Sequence, residues 1–363
     1  MRSSYSEQDV ILLLKDITGL VEPQSTEERE KLIQAGKHYS EMLPIEYVPT
    51  EKYMNVYYEG LKNYSKPVAR AVGLLSDKII KKRGNDVVLV SLARAGIPIG
   101  ILVKRYIKYK YQIDVKRYIK FKYGINVPHY SISIIRGRGI DDNAMQYLLK
   151  KYNAEQLLFV DGWIGKGAIL NELKKDIAKY KGVSSDIAVV ADPANVTELC
   201  GTHDDILIPS SCLNSTVSGL ISRTFLRDDI IGKDDFHGAV YYGELKDSDL
   251  SYAFIDAIKK DFSLDNGSDN GNEVIEGKGI DEVIAIGKHF GIEDINLIKP
   301  GIGEATRVLL RRVPWKILID KRYKDNPQLG HLVRLAEEKN VPIEYYPLTH
   351  YKCCGIIKKL ADA

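Results

Sequence analysis

Two kinds of apolar run alternate along much of the chain. Residues 87–91 (VVLVS), 131–135 (SISII), 157–160 (LLFV) and 187–191 (IAVVA) are short and nearly free of polar alternation. That is the pattern of parallel strands covered on both faces. Amphipathic stretches lie between them, one ending near Tyr152 and one spanning 168–180. The alternation predicts an α/β fold with a parallel, doubly wound sheet over residues 85–263. Ahead of it, helices are predicted at 6–16, 27–39, 51–64 and 67–82, with an irregular piece bounded by Pro44 and Pro49. Ser6 with Asp9 three residues on supplies the first helix start, and Pro67 separates the last two. Together they make residues 1–84 a helical cap on the sheet.

Beyond the fourth strand, Asp192-Pro193-Ala194 forms a turn, and residues 205–209 precede a hydroxyl-rich turn, 210–219, leading into a helix that reaches Arg223. Residues 264–277 (LDNGSDNGNEVIEG) are rich in Asp, Asn and Gly and read as a linker, with the boundary drawn at 264–273. From 274 to 363, predicted helices at 281–291, 304–312 and 329–339 alternate with strands at 295–298, 316–320 and 343–346, a small αβα unit. Residues 104–115 (KRYIKYKYQIDV) and 116–127 (KRYIKFKYGINV) are near-copies in tandem. One unit, twice, is too little for a repeat fold. Its Lys, Arg and Tyr content suits nucleic acid, and equally a solvated amphipathic arm, the preferred reading.

Composition narrows the function classes. With 363 residues, a formal net charge of +3 and 28% charged residues, the chain is globular, and nucleic-acid contact needs a local patch rather than a basic field. The 23 tyrosines suit stacking on bases, though amphipathic packing accounts for most of them. No apolar run is long enough to span a membrane, and the start, MRSSYSEQDV, lacks a signal-peptide core, so a cytoplasmic protein is expected. Cys200, Cys212, Cys353 and Cys354 lack C-x-x-C spacing, which points to reduced thiols rather than a zinc ribbon; no metal motif stands out.

The most specific chemistry lies in residues 157–169, LLFVDGWIGKGAI. A buried strand ends in Asp161, Gly165 and Gly167 let the backbone turn its N–H groups toward an anion, and a helix opens at Ala168 with its positive end at the same point. A carboxylate beside a phosphate cradle suits a sugar phosphate. This segment resembles the phosphoribosyl-pyrophosphate (PRPP) loop of type I phosphoribosyltransferases. Gly162 stands where that family has a second acid, and Gly165 and Lys166 where it has hydroxyls, departures that bear on turnover more than on binding. The loop Leu92-Ala93-Arg94-Ala95-Gly96 is similar to the family's pyrophosphate loop, and Arg136-Gly137-Arg138 stands where its mobile loop closes. The resemblance implies a type I phosphoribosyltransferase-like sheet. Asp161 would hold the ribose hydroxyls, Lys166 and the Gly165–Gly167–Ala168 backbone the 5′-phosphate, and Arg94, Arg136 and Arg138 the diphosphate, with Mg2+ carried by PRPP.

Over most of its length the chain resembles the bacterial StiP family, named for a cysteine protease and associated with tellurite and stress-response gene clusters. LARAGIPIG, HYSISIIRGRGID, FVDGWIGKGAI and IPSSCLNSTVSGLISRT carry that likeness. The protease name implies Cys212 as nucleophile, with His203 or His237 as base and Asp204 or Asp235 as orienter; transfer of a phosphoribosyl group to an unidentified acceptor remains the main reading. The C-terminal unit resembles the Pelota and kink-turn-binding ribosomal-protein family. Gly301-Ile302-Gly303-Glu304-Ala305-Thr306-Arg307 matches its RNA-contacting segment, with Gly303 for the usual Asn and Arg307 for the usual Lys. RNA is therefore an expected partner through Gly303, Glu304, Thr306, Arg307 and Arg311, with Arg312 adding a phosphate contact. A nucleotide-sensing RNA-binding protein is the third reading, a homodimer is a further expectation, and the C-terminal unit is expected to fold alone.

Overall fold

The computed structural model describes residues 1–118, 127–267 and 277–359. Its strands in chain order are β1 (Ile11–Leu12), β2 (Lys15–Asp16), β3 (Val88–Leu92), β4 (His129–Ile132), β5 (Ile134–Ile135), β6 (Gly139–Ile140), β7 (Leu157–Trp163), β8 (Ile187–Ala191), β9 (Cys200–Thr202) and β10 (Gly238–Ala239), followed by β11 (Ile298–Pro300), β12 (Pro314–Ile319), β13 (Ile343–Tyr345) and β14 (Cys353–Ile357). The helices are α1 (Thr26–Gln34), α2 (Glu51–Arg83), α3 (Gly96–Tyr118), α4 (Asp142–Lys151), α5 (Ala168–Ile177), α6 (Ser251–Lys259), α7 (Gly279–Phe290), α8 (Ile302–Arg311) and α9 (Gly330–Glu338).

The predicted parallel sheet is present, in the order β1-β4-β3-β7-β8-β9 among the described residues. Strands β3 and β8 are buried along their whole length, as unbroken apolar runs require. Helices α2, α3 and α6 contribute to the core cluster on one face, while α4 and α5 belong to a second cluster on the other. Among the described residues, the small unit is a separate sheet, β11-β14-β12-β13. Its α7 has a core of its own with Ile298, Leu318 and Ile356. Helices α8 and α9 instead share the main cluster with α2: Ile302, Leu309, Leu332 and Leu335 lie in one core with Val56, Tyr57 and Tyr64.

Several elements depart from the sequence expectation. The predicted helix at 6–16 is a turn followed by β1, which adds to the sheet edge beside β4, and β2, which pairs with β10. Here strand pairing outcompetes a helix-like spacing in which Val10, Leu13 and Leu14 are all buried. The two helices expected on either side of Pro67 are one, α2, because Tyr64 and Val68 on both sides of the proline are buried in the same core. It forms a layer against the sheet rather than a cap. The helix expected after residue 210 is two short 3-10 turns, Pro209–Cys212 and Ser215–Val217. The second predicted strand breaks at Ser133 into β4 and a hairpin of β5 and β6.

The first tandem copy continues α3, where Tyr106 and Ile107 are buried, Arg105 pairs with Asp9 and Lys110 with Asp77. Most of the second copy, and the linker from 268 to 276, lie outside the described residues. No described helix is long and apolar enough to cross a membrane.

Candidate functional site: a two-lobed cleft and a cysteine–histidine pair

The carboxyl ends of the parallel strands β4, β3, β7 and β8 lie at one end of the sheet, where open α/β sheets form their crevices. Two adjoining cavities occupy it, of about 260 Å3 and about 240 Å3. Asp161, near the end of β7, lines both, as do Trp163 and Arg307. The Asp161 carboxylate accepts the Gly162 N–H at 2.7 Å. Burial pushes its pKa up to about 7, against the opposing pull of that N–H and of the Arg307 charge. Gly167 caps α5 at φ 88°, a conformation that glycine adopts without strain.

The predicted phosphate ligands divide. Gly165, Lys166, Gly167, Ala168 and Arg136 line the larger lobe, with Ala95. Lys166, however, donates to the carbonyl oxygens of Ile295 and Ile298 in the C-terminal unit, at 2.5 and 3.1 Å. Burial, helped by the neighbouring charges of Lys299 and Arg136, lowers its pKa to about 8. Ala93 and Arg94 line the smaller lobe with Ser210, Ser211 and Asn214. The Arg94 guanidinium donates to the Ile221 carbonyl at 2.8 Å and to the shielded carboxylate of Glu46, which sequence reasoning had passed over. Gly96 opens α3 behind that loop. Arg138 corrects the expectation of a three-arginine diphosphate clamp, since it pairs with Glu41 and lines neither lobe.

The C-terminal unit forms part of the cleft wall. Lys299, Pro300, Glu304 and Arg307 face the larger lobe, and Glu304 and Arg307 are paired at 3.2 Å. Of the other residues expected to meet RNA, Thr306, Gly303 and Arg311 are engaged within the molecule. Thr306 is buried and bonded to His331 and to the Ile302 carbonyl. A Cβ on Gly303 would stand 3.4 Å from the Ser211 hydroxyl. Arg311 donates to the Cys212 carbonyl at 2.7 Å and to Asn214 at 2.5 Å, and burial lowers its pKa to about 10. Arg312 stays exposed.

Cys212 is buried, as Cys200 is, burial pushes its pKa up to about 12, and the two histidines expected as its base bond elsewhere. His237 bonds to Ser133, and Asp235 pairs with Lys15. His203 lies elsewhere, against Cys200, with Nε2 at 3.3 Å from Sγ. Its Nδ1 is 2.9 Å from the Asp192 carbonyl oxygen and 3.7 Å from that residue's Oδ2. A carbonyl only accepts, so Nδ1 carries a proton in the neutral ring, and the thiol, 3.3 Å from Nε2 and 3.8 Å from Nδ1, lies over the ring rather than along the Nε2 lone pair. Asp192 follows β8, Cys200 opens β9 and His203 follows it, so two adjacent parallel strands bring the three together. Gly201 between them admits no side chain, because a Cβ would lie 2.2 Å from the Ala71 carbonyl of α2. The Asp192 carboxylate takes the N–H groups of Val196 and Thr197 on Oδ2, leaves Oδ1 unpartnered, and is pushed up to about 6 by burial. Among the described residues this is the one group of thiol, imidazole and carboxylate close enough to share a metal ion. The short C-x-x-H spacing of Cys200 and His203 is the sequence signal for this pair.

Residues 3–259 match the family model described as tellurite-like stress resistance cysteine protease StiP, and residues 277–359 match the PELOTA RNA binding domain. The cysteine protease StiP of Acinetobacter baylyi is 32% identical over 376 residues, covering 98% of this chain and 94% of that protein. Among solved structures, a hypoxanthine-guanine phosphoribosyltransferase from Bacillus anthracis is similar over 37% of this chain and 71% of its own, at 15% identity and a TM-score of 0.22. A second structure of that enzyme, with HEPES in its active site, covers 43% and 75% at 13% identity and a TM-score of 0.20. Likeness that low carries no argument about substrate.

Proposed function

The chain belongs to the StiP family of tellurite-like stress resistance cysteine proteases, and we propose that it is a cysteine peptidase whose nucleophile is Cys200 rather than Cys212. The observation that carries this reading is the 3.3 Å approach of Cys200 Sγ to His203 Nε2, with the other ring nitrogen held by Asp192. His203 Nε2 takes the thiol proton as sulfur attacks the carbonyl carbon of a peptide bond. The tetrahedral intermediate collapses with cleavage of the C–N bond, and the imidazolium returns the proton to the leaving amine. Water, deprotonated by the same imidazole, then hydrolyses the thioester and restores the thiol. Cys200 lies beneath the partly exposed His203, so the loop bearing the histidine must shift to admit a peptide and turn Nε2 onto the thiol. Labelling of the native protein with iodoacetamide, followed by peptide mapping, tests the assignment: modification is expected at Cys200 and lost in His203→Ala. Preferential modification of Cys212 overturns it.

A second reading concerns the cleft, and the position of Asp161 on both lobes beside the glycine-rich start of α5 favours it. We propose that the larger lobe takes a ribose phosphate such as PRPP, in a phosphoribosyltransferase-like manner. Asp161 would accept from the sugar hydroxyls, the 165–168 backbone and Lys166 would hold the 5′-phosphate, and Arg136 would meet the diphosphate. The carboxylates of Asp161 and Glu304, which both line that lobe, would supply oxygen donors to Mg2+ carried by the diphosphate. Calorimetric titration with PRPP and Mg2+ tests it, and absence of heat with any ribose phosphate rejects it. RNA binding by the C-terminal unit, which its PELOTA match supports, completes the proposal of an enzyme that works in contact with RNA.

A further inference from the structure

The segment expected to read RNA is largely engaged within the molecule. The Ile302 N–H bonds to Asp205, Arg311 to Cys212 and Asn214, and α8 packs into the core shared with α2. If the C-terminal unit binds RNA, another face must supply much of the contact.

The opposite side of its sheet, where α7 packs, carries a different chemistry. Trp315, Phe290, Tyr346 and His289 form a chain of ring contacts: Phe290 meets Trp315 at 6.1 Å and Tyr346 at 5.7 Å, and His289 meets Tyr346 at 5.1 Å. Trp315 reaches this row because the β12–β14 ladder is irregular there. Pro314 pairs with Ile357 and Lys316 with Ile356, which leaves Trp315 as the extra residue of a bulge. A bulge re-aims a side chain that strand alternation would otherwise have sent toward the α8 face. The tryptophan is 37% exposed, and Val313 just before it 50%. The Lys316 ammonium lies 4.5 Å from the centre of the Phe290 ring and 4.6 Å from that of Trp315. Lys288 is exposed on α7, Arg312 between α8 and β12, and Lys358 just after β14, where its N–H bonds to the Val313 carbonyl.

We propose that this row is a stacking platform for unpaired RNA bases, with the surrounding lysines and arginine meeting the phosphates. Half-exposed aromatic faces flanked by cations suit single strands, because every base has a π-face and every linkage a negative charge. A peptide partner of comparable apolar content would not make use of the basic rim. Glu344, paired with Lys316 at 2.7 Å, releases the ammonium when a phosphate takes its place. The proposal rests on the RNA-binding reading of this unit and adds the face and the kind of strand.

The test uses the full chain. Its two tryptophans are Trp163 and Trp315, so in a Trp163→Phe background fluorescence reports Trp315 alone. Titration with a twelve-nucleotide oligo(U) is expected to quench that emission. Trp315→Leu is expected to weaken binding of a dye-labelled oligo(U) on the order of tenfold, and Lys316→Gln, a second variant that keeps the rings, to lower the salt dependence. Thermal unfolding of each variant checks that it is folded. If the wild type binds oligo(U) or a structured RNA while Trp315 emission and both variants stay unchanged, this face is excluded and RNA binding survives. If heparin displaces oligo(U) completely and Trp315→Leu has no effect, the contact is charge alone and the stacking platform is rejected. If no RNA binds at all, the RNA reading itself fails.

Discussion

Asp205, from the first domain, accepts the backbone N–H of Ile302 at 2.9 Å and so caps α8 of the C-terminal unit from across the boundary. Its other oxygen takes the Lys352 N–H, also at 2.9 Å. One buried carboxylate thus satisfies an orphan amide at a helix start and ties a loop beside β14 to the same point. Tyr351, the residue before it, donates to the Gly165 carbonyl at 2.7 Å, so the glycine-rich loop and the C-terminal unit hold each other in place.

Loss of that cap should be measurable. Asp205→Ala is expected to destabilise the protein by about 1–2 kcal/mol, the usual cost of removing an N-cap acceptor. Asp205→Asn, which keeps one acceptor oxygen, should cost less at pH 8, because burial raises the Asp205 pKa to about 6 and the native carboxylate is held at a penalty there. Urea unfolding of both variants provides the measurement. No loss of stability in Asp205→Ala would show that the cap contributes nothing.

A C-terminal fragment should fare poorly alone. Cutting before residue 277 uncovers Ile302, Leu309, Leu332 and Leu335, whose cover includes Tyr57 and Tyr64 of α2. Burial of side chains of that size is worth about 1.5–3 kcal/mol each. The fragment 277–359 is therefore expected to melt well below the intact chain or to aggregate, in contrast to the independent folding that the linker suggested. Circular dichroism melts of fragment and full chain decide between them.

For the proposed peptidase, Cys200→Ala and His203→Ala should each lower kcat/KM by at least about a thousandfold on any peptide the wild type cleaves, since removal of either member of such a pair costs orders of magnitude. Cys212→Ser should retain activity within a few-fold. EDTA is expected to leave cleavage unaltered; complete loss on chelation, with restoration by zinc, would instead assign Asp192, Cys200 and His203 to a metal site.

Asp161 makes a pH prediction with a definite sign. Its folded pKa of about 7 lies above the ordinary carboxylate value of 3.8, so between those values the native state holds a proton that the unfolded chain has released. Stability contributed by this group is complete below the lower value and declines as pH rises through the window. Asp161→Asn should flatten that decline and make the protein more stable than wild type at pH 8. The same substitution should weaken binding of a ribose phosphate by about 1–3 kcal/mol. An unchanged slope in unfolding measurements between pH 4 and 8 contradicts the first part, and unchanged affinity the second.

The uninterrupted apolar runs at β3, β7 and β8 announced the parallel sheet by themselves, because a strand buried on both faces leaves no polar position to obscure it. Asp161, Gly165 and Gly167 were likewise legible, since a strand end, an acid and a glycine-rich helix start are contiguous in the chain and come together by local geometry alone. The linker composition and the alternation after it marked a second unit. Tertiary structure decided the rest. Residues 6–16 became a turn and short strands because an open sheet edge and β10 offered pairing partners more than a hundred residues away, which no local spacing encodes. Cys200 and His203 meet Asp192 only because β8 and β9 pair in one register, whereas the more conspicuous Cys212 was buried beside Arg311. Thr306 and Arg311 turned inward because the helix that carries them found an apolar surface on α2, and burial of that surface outweighs the tendency of the same residues to stay in water.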